Sequence, residues 1–425
     1  MTHSNEPQIT SSLGQDDDRI QIDARHAFLS IARGLDLVGV DDVHHAHRVA
    51  YIAFECATRL QWPKAKIEKA YYASLIHDCG VSTTQEHQEL LHGTASHDVQ
   101  FHCIRGHEAL KENCLLKDFA DIVLYHHTEY SKLESVGMPQ YDMDICALVH
   151  LADSVDYFRC QYVKGDNSEV VMHKNKINQD LTSKHDWFNP VQLPEMLKLV
   201  SVDGFWFAME YESIESLSHD FSEYVPFKQD LNLAEVKDLA IFLAHIVDSK
   251  SPYTFKHSEK VAKISKKLAQ SFHLSDQHCE KIYMAGLMHD VGKLRVPDDI
   301  LYKDDQLSPE EYAMIKRHAV DTLLTLKQLL PDTPIANWAA NHHERLDGSG
   351  YPYHLKGDDL DLESRIIALA DVFQALAEKR PYKERLALDE ILSMLGKMVD
   401  KNKLDKQVFE HVLQNKAAYY DISTG

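Results

Sequence analysis

A histidine followed directly by an aspartate ends an apolar segment at two places in this sequence. His289 and Asp290 form one pair, and Lys293 follows within a turn of chain. The segment "IHDCGV" repeats the pair but carries valine in place of the lysine. Imidazole and carboxylate groups ligate transition metals, although two such polar residues could also cap a buried helix.

The two pairs belong to a longer internal repeat. In both halves 32 residues separate an earlier histidine from the pair, from His45 to His77 and from His257 to His289. Further histidines and a final aspartate follow in the same order. The first-half set is His45, His77, Asp78, His107, His126, His127 and Asp153, and the second-half set is His257, His289, Asp290, His318, His342, His343 and Asp371. Because scattered surface histidines would share no spacing, the repetition indicates two related units.

The number of these residues favours metal binding. One such histidine taken alone is more often a core or surface residue than a ligand. A whole set on or beside apolar helices would be buried, and an unpaired buried charge or imidazole costs on the order of several kcal/mol. A cation satisfies all of these groups together, so we expect metal in the second half.

The ligand types restrict the metal and its chemistry. Five imidazoles and two carboxylates without a thiolate suit iron, manganese, nickel or zinc better than magnesium or calcium. Because this set exceeds the ligands of a structural zinc ion, we expect two metals that share Asp290 as a bridge. Such a pair stabilises both oxygens of a phosphoryl displacement and activates water near neutral pH. The predicted chemistry is phosphodiester hydrolysis.

The segments that carry these residues are typical of helices. In "FKHSEKVAKISKKLAQSF", Val261 and Leu268 lie on one apolar face, and His257 lies on the same face. Alternation with a period of two is hard to find, so we predict an all-α protein. A polar stretch near residue 225 divides the chain. The expected units are a flexible tail over 1–20, a first helical bundle over 21–225 and a second over 226–425.

The composition excludes several classes of partner. A formal net charge of -21 over 425 residues argues against broad contact with polymeric nucleic acid or anionic membranes. The acidic N-terminus lacks a signal-peptide pattern, and no apolar run approaches the roughly 20 residues that span a bilayer. The 7 cysteines form no CxxC pair, which favours reduced thiols. We therefore expect a cytoplasmic protein with no membrane partner.

The segments "HDVGK" and "HHERLDGSGYP" resemble the HD-GYP family, a branch of the HD-domain phosphohydrolases that cleaves cyclic dinucleotides. The resemblance extends from near residue 229 to the C-terminus. It implies a helical domain with two or three metals, commonly iron or manganese, so the chain would contain two tandem HD-domain bundles. On this pattern the second-half set named above corresponds to the metal ligands.

The resemblance also implies catalytic and substrate-binding residues. Lys293 matches the lysine that contacts the scissile phosphate and aids proton delivery, and Asp290 is its catalytic partner. Tyr351 matches the tyrosine of the nucleotide pocket. Arg380 and Lys383 match the cations that hold the substrate phosphates, which would let an acidic protein bind an anionic ligand.

Some positions depart from the family pattern. Members with a third metal carry a glutamate four residues before the first ligand histidine, where this chain has Tyr253, which favours two metals. The usual "DVFDALTSDRPY" reads "DVFQALAEKRPY" here, with Gln374 and Glu378 among the replacements. These changes alter the surroundings of the pocket and leave the preferred dinucleotide open.

The first half resembles a degenerate HD domain. Val81 replaces the lysine, Met138 stands near the GYP position, and Tyr162 and Gly165 occupy the positions of the phosphate cations. We expect this domain to be catalytically weak or inactive and to regulate or dimerise. Its ligand set forms a candidate second metal site, to which Asp41 could add a donor; a hydrogen-bonded core without metal is the alternative.

Two interpretations of the whole chain remain. The first is a metal-dependent phosphodiesterase that linearises cyclic di-GMP or 3′,3′-cyclic GMP-AMP. The alternative is a regulatory scaffold that binds a cyclic dinucleotide without turnover. A general nucleotide phosphohydrolase would fit the ligands but not the GYP segment. The cationic substrate-binding residues of the second half favour the enzyme. The sequence does not decide whether the protein forms a homodimer.

Overall fold

The computed structural model describes residues 28, 29, 31, 32, 44–81, 99–163, 167–209, 213, 214, 216, 231–250, 256–303, 305–331, 333–378 and 385–425. Within these residues the chain is helical and forms no strand, and an isolated bridge joins Asp347 and Lys356. The all-α prediction is confirmed. The tail over 1–20 and the boundary near residue 225 lie outside the described residues, as do Asp41, Gly165, Tyr253, Arg380 and Lys383.

The helices follow one another in two similar series. In the first half they are α1 His45–Arg59, α2 Lys64–Ile76, α3 Val99–Leu110, α4 Ala120–Tyr125, α5 Tyr130–Leu133, α6 Gln140–Tyr162, α7 Asn167–Ser183, α8 Gln192–Val200 and α9 Asp203–Phe207. In the second half they are α10 Leu233–Lys250, α11 His257–Ser271, α12 Asp276–Met288, α13 Asp298–Leu301, α14 Pro309–Leu329, α15 Ile335–Ala340, α16 Leu362–Ala377, α17 Leu388–Asp400, α18 Lys406–Gln414 and α19 Lys416–Thr424.

The site-bearing helices begin in the same way in both halves. His44, just before α1, has a φ of 86°, and Lys256, just before α11, has a φ of 74°. This left-handed residue starts each helix at its first ligand histidine. The first two ligand histidines then lie with ring centroids 5.3 Å apart in the first half and 5.5 Å apart in the second. The sequence repeat is therefore a structural repeat.

The close approach of α11 and α12 positions two ligands. A Cβ atom at Gly286 would lie 2.8 Å from the Cα atom of Ala262, so this packing requires glycine. Leu268, on the predicted apolar face of α11, is fully buried. Since His257 begins α11 and His289 follows the last residue of α12, the distance between these helices sets the distance between the two imidazoles.

The two halves are in contact. Asn113 Nδ2, beyond the end of α3, donates a hydrogen bond of 3.1 Å to the carbonyl oxygen of Asp238 in α10. Buried apolar side chains form one cluster that includes residues of both halves. Among the helices with described residues, none is long and apolar enough to cross a membrane.

Replacing Gly286 with alanine should lower the thermal unfolding midpoint, because the methyl group forces α11 and α12 apart at a cost of about 1–3 kcal/mol. The matched control is Gly396→Ala in α17, where a Cβ atom would lie 3.8 Å from the Phe409 ring, an ordinary contact. That change should raise the midpoint, since alanine favours helix over glycine by about 1 kcal/mol. Circular dichroism melts test both; a Gly286→Ala midpoint at or above that of the parent would contradict the packing argument.

Candidate metal centre

The second-half ligands predicted from the sequence converge from several elements. His257 begins α11, His289 and Asp290 follow α12, His318 lies in α14, His342 and His343 form a 3-10 turn after α15, and Asp371 lies in α16. His343 is half-buried and the others are buried. The tertiary structure thus brings the whole predicted set to one place.

Asp290 lies between two groups of imidazoles. Its Oδ1 atom is 3.5 Å from His318 Nε2 and 3.6 Å from His342 Nε2, and these two nitrogens are 3.3 Å apart. Its Oδ2 atom is 3.1 Å from His289 Nε2. Each carboxylate oxygen therefore faces a different group, which is the arrangement that a carboxylate bridging two metals requires.

The two groups are complete on both sides of this carboxylate. His257 Nε2 is 3.4 Å from Asp371 Oδ1, and His289 Nε2 is 3.8 Å from the same oxygen. The donor atoms of these three residues lie within 4.8 Å of one another, and so do those of the three histidines on the opposite side. Each group has the size of a metal site with three protein donors.

Backbone hydrogen bonds orient the imidazoles. The Nδ1 atoms of His289, His318 and His342 each contact the carbonyl oxygen of the residue three positions earlier. A carbonyl oxygen only accepts hydrogen bonds, so Nδ1 carries the proton in each ring. The Nε2 lone pair of each histidine is then free to bind a metal.

Burial keeps three of the histidines, His318, His342 and His343, in the ligand form. It lowers the pKa of His318 to about 4 and holds the pKa values of His342 and His343 well below the usual value, with the charges of neighbouring histidines acting in the same direction. These imidazoles are neutral at physiological pH, as metal coordination requires.

The carboxylates also fit a metal pair. Burial opposes their ionisation, but His289 beside Asp290 and the 3.4 Å contact of His257 Nε2 with Asp371 Oδ1 hold both pKa values well below the usual range. In the described structure His289 Nε2 and Asp290 Oδ1 are buried without a hydrogen-bond partner. Ionised carboxylates, the neutral imidazoles of His318, His342 and His343, and unsatisfied donor atoms are the surroundings that a transition-metal ion fits.

Two predicted substrate residues lie at this centre. Lys293 Nζ donates a hydrogen bond of 2.6 Å to Asp290 Oδ2. The Tyr351 ring centroid lies 4.6 Å from that of His343, and burial raises the pKa of the Tyr351 hydroxyl, which therefore stays protonated. The two predicted phosphate cations fall outside the described residues.

Glu378 has a contact that the sequence did not reveal. Its Oε2 atom lies 3.4 Å from His257 Nδ1. Although burial alone would lower the pKa of His257, its contacts with Asp371 and Glu378 raise it to about 10. The sequence did contain a signal. Glu378 follows Asp371 by seven positions, about two helical turns, and so lies on the side of α16 that carries Asp371, just beyond the end of the helix.

The first half contains a similar centre around Asp78. Its Oδ1 atom is 3.3 Å from His102 Nε2 and 3.4 Å from His126 Nε2. Its Oδ2 atom is 3.5 Å from His77 Nε2 and 3.7 Å from His45 Nε2. As in the second half, one carboxylate lies between two groups of imidazoles.

His127 and Asp153, two more of the predicted residues, are also at this centre. Asp153 Oδ1 is 3.4 Å from His45 Nε2, and Asp153 Oδ2 is 3.6 Å from His127 Nδ1. An additional partner that the sequence analysis missed is Asp156, which contacts His45 Nδ1 at 2.8 Å and also pairs with Arg48. This buried carboxylate fixes the orientation of the His45 ring.

His107 is not part of the cluster, contrary to the prediction. Its Nε2 atom lies 3.4 Å from Asp121 Oδ1, an exposed carboxylate, and its Nδ1 atom lies near Glu108. His102, one and a half turns earlier on α3, faces Asp78 instead. The alignment of His107 with His318, which rested on local similarity, was therefore wrong, because His107 lies on another face of the helix.

The glycine after each His-Asp pair confirms the corrected correspondence. A Cβ atom at Gly80 would lie 1.9 Å from the carbonyl oxygen of His102, and one at Gly292 would lie 2.0 Å from that of His318. Only glycine permits either contact. A sequence signal did exist, since 24 residues separate His102 from His126 and His318 from His342.

The first-half residues at the positions of Lys293, the GYP segment and a phosphate cation are not equivalent to those of the second half. Val81 is 3% exposed and offers an apolar surface. Met138 is half-buried, and the Tyr162 hydroxyl donates a hydrogen bond of 2.6 Å to Asp180. None of these three side chains can hold a phosphate as a lysine or arginine does.

Comparison with known proteins identifies the family. A family model described as "HD domain" matches residues 242–408, and a second model with the same description matches residues 43–159. A 3′3′-cGAMP-specific phosphodiesterase of Vibrio cholerae is 39% identical over 404 residues, which cover 95% of this chain and 94% of that protein. The chain belongs to the HD-GYP family.

Further relatives support the membership and the fold. A cyclic di-GMP phosphodiesterase of Thermotoga maritima is 36% identical over 186 residues, 42% of this chain and 48% of that protein. The crystal structure of a cyclic GMP-AMP specific phosphodiesterase of V. cholerae superposes with a TM-score of 0.61 at 22% identity, covering 93% of this chain and 97% of that one. The prediction of two tandem HD-domain bundles is confirmed.

The GYP turn of this HD-GYP protein is built on Glu344. This residue is 1% exposed, and its carboxylate accepts hydrogen bonds from the backbone nitrogens of Tyr353 at 2.7 Å and Leu355 at 3.1 Å. A Cβ atom at Gly350 would lie 2.5 Å from the Cα atom of Glu344, so the close contact needs glycine. These contacts hold Tyr351 beside the metal centre.

Replacing His318 with alanine should remove about one metal ion per chain, because the group opposite His289 loses one of its three imidazoles. His278→Ala is the matched control, since this partly exposed histidine pairs with Glu363 outside the centre. Elemental analysis after dialysis of each protein measures the loss. Equal metal content in the His318→Ala variant and the parent would contradict the assignment of His318 as a ligand.

Proposed function

We propose that this protein hydrolyses 3′,3′-cyclic GMP-AMP to the linear dinucleotide at its C-terminal centre. The observation that carries the proposal is the contact between Lys293 and Asp290 beside two groups of imidazoles. A cation next to a metal-binding carboxylate is suited to a phosphodiester, whose charge it can neutralise. The first half has Val81 at the corresponding position.

The choice of substrate rests on the relatives. The V. cholerae protein that matches almost the whole chain is named for 3′3′-cGAMP, and two more with this specificity are 32% and 40% identical over 247 and 151 residues. The listed relatives named for cyclic di-GMP match less than half of the chain, such as 194 residues at 32% identity, whereas the first V. cholerae protein matches 404 residues. We therefore place cyclic GMP-AMP ahead of cyclic di-GMP.

The protein side chains have separate tasks in this reaction. Two transition metals held by the second-half set, iron or manganese ahead of nickel or zinc, would supply an activated water and neutralise phosphate charge. Asp290 sets the separation of the two groups of donors. Lys293 Nζ donates hydrogen bonds to the scissile phosphate and can protonate the leaving oxygen. Tyr351 offers a neutral hydroxyl and an aromatic ring to a nucleobase of the substrate.

Because the protein is acidic overall, the positive charges that bind the substrate must lie at the site itself. With a net charge of -21, the surface as a whole repels a dianionic ligand. Lys293 supplies one positive charge at the centre, and we assign Arg380 and Lys383 to the substrate phosphates on the family pattern. All 7 cysteines are free, which suits the reducing cytoplasm where we place the reaction.

We assign hydrolysis to residues 226–425 alone and a regulatory or dimerising role to residues 21–225. The first half keeps a carboxylate between imidazoles but has apolar Val81 where the second half has Lys293. A bound phosphodiester would have no cation against its charge at this position. The scaffold interpretation of the whole chain is not supported, since the relatives are named as phosphodiesterases and the second half keeps its lysine.

The substrate assignment is tested by hydrolysis of cyclic GMP-AMP and cyclic di-GMP, side by side, with protein loaded anaerobically with Fe(II) or Mn(II). We expect kcat/KM to favour cyclic GMP-AMP by about tenfold or more, equivalent to about 1.4 kcal/mol in the transition state. Equal or reversed ratios would reject the preference but keep the enzyme. No turnover of either compound by metal-loaded protein would reject the enzyme.

Lys293→Ala should lower kcat by roughly 10²- to 10⁴-fold, the usual effect of losing a proton-transfer group. Metal content should stay unchanged, because an ammonium group is not a ligand. Val81→Ala at the corresponding first-half position is the control and should leave turnover as in the parent. A Lys293→Ala variant with parental kcat would show that the observed contact with Asp290 has no catalytic role.

A further inference from the structure

The first-half cluster contains one donor that the second half lacks. Cys103 follows His102 in α3 and is 2% exposed, and its Sγ atom lies 3.5 Å from His102 Nε2. By the correspondence of His102 with His318, the matching second-half residue is Ala319. We infer that Cys103 is a ligand in a first-half zinc site that does not support hydrolysis.

The distances in the cluster match a zinc ion. A tetrahedral site with bonds of about 2.1 Å has donor atoms about 3.4 Å apart, and a sulfur donor lies slightly farther out. Asp78 Oδ1, His102 Nε2 and His126 Nε2 form a triangle with sides of 3.3, 3.4 and 3.4 Å. The contact of 3.5 Å between Cys103 and His102 continues this geometry. The donor atoms of His102, Cys103, His126 and His127 all lie within 4.8 Å of one another.

The donors are already oriented. His126 Nδ1 donates a hydrogen bond of 2.7 Å to the carbonyl oxygen of Val123, so its Nε2 lone pair faces Asp78. His77 makes the same contact with Ser74, also at 2.7 Å. Asp78 Oδ1 and His77 Nε2 are buried without hydrogen-bond partners in the described part of the chain. A cation beside His102 and Cys103 would satisfy Asp78 Oδ1, whereas His77 Nε2 lies on the opposite, Oδ2 side of that carboxylate.

The added sulfur changes which metal is preferred. Thiolate is a soft ligand that suits zinc, whereas the donors around His318 among the described residues of the second half are imidazoles and carboxylates. When the ion binds, the Cys103 thiol becomes a thiolate and its proton passes to solvent. The two halves of one chain would therefore select different metals.

The same sulfur argues against turnover in the first half. A catalytic zinc site keeps one coordination position open for water, and a structural site is closed by four protein donors. Cys103 takes a position that is left open beside Ala319. This inference concerns metal bound by the first half and does not depend on hydrolysis by the second.

The test uses the full-length chain and Cys103→Ala, which introduces the residue of the second half. Cys56→Ala is the control, because Cys56 is another fully buried thiol of the first half, in α1. We expect Cys103→Ala to bind about one zinc ion fewer per chain by elemental analysis. The control should bind as much zinc as the parent. Parental zinc content in Cys103→Ala would overturn the proposal.

Cobalt(II) provides a readout of the bond itself. Protein loaded with cobalt should show a thiolate-to-metal charge-transfer band in the near ultraviolet, and this band should be absent in Cys103→Ala and in Cys103→Ser. Circular dichroism spectra of both variants check that the fold is retained. A parental band in folded Cys103→Ala, or no band in the parent, would show that Cys103 is not a ligand.

The reciprocal variant Ala319→Cys tests the argument in the second half. A thiol beside His318 should create a second charge-transfer band in the cobalt protein and increase the zinc retained after dialysis. An Ala319→Cys protein without an additional band would show that the position after the α-helical histidine does not reach the metal, and would reject the same geometry for Cys103.

Discussion

The fold is organised around one requirement: the charge of a carboxylate held between imidazoles inside a helical bundle must be balanced. Asp290 in the second half and Asp78 in the first each have one oxygen toward one group of histidines and the other oxygen toward a second group. Such a cluster is expensive to bury unless a cation completes it. The left-handed residues before α1 and α11, the hydrogen bonds from histidines to backbone carbonyls and the close glycine contacts all place these donors.

One helical unit therefore supports two different centres. The backbone and most donors are common to both halves, and the differences lie in a few side chains around them. Lys293 gives the second half a cation beside its carboxylate, whereas the first half has Val81. The first half has Cys103 where the second has Ala319. A phosphodiester needs the cation, and a closed metal site benefits from the additional donor, so small changes separate catalysis from metal retention.

Membership in the HD-GYP family and the tandem all-α fold could be predicted from the sequence and were confirmed by the relatives and the structure. The success has a physical cause, because metal ligands with fixed roles repeat in a fixed order and amphipathic helices have a regular period. The contribution of Glu344 could not be predicted. Its carboxylate holds the backbone of the GYP turn across a tertiary contact that no local pattern reports.

The order and type of the ligands were determined by the sequence itself, since imidazole and carboxylate groups in that number have few uses inside a helical core. Which histidine of α3 faces the carboxylate was decided only by the tertiary structure. The segments around His107 and His318 look alike, yet the next ligand follows the histidine of the His-Asp pair by 25 positions in the first half, from His77 to His102, and by 29 in the second, from His289 to His318. A helix that begins at a different offset presents another residue to the same point, so His102 lies at Asp78 and brings Cys103 with it.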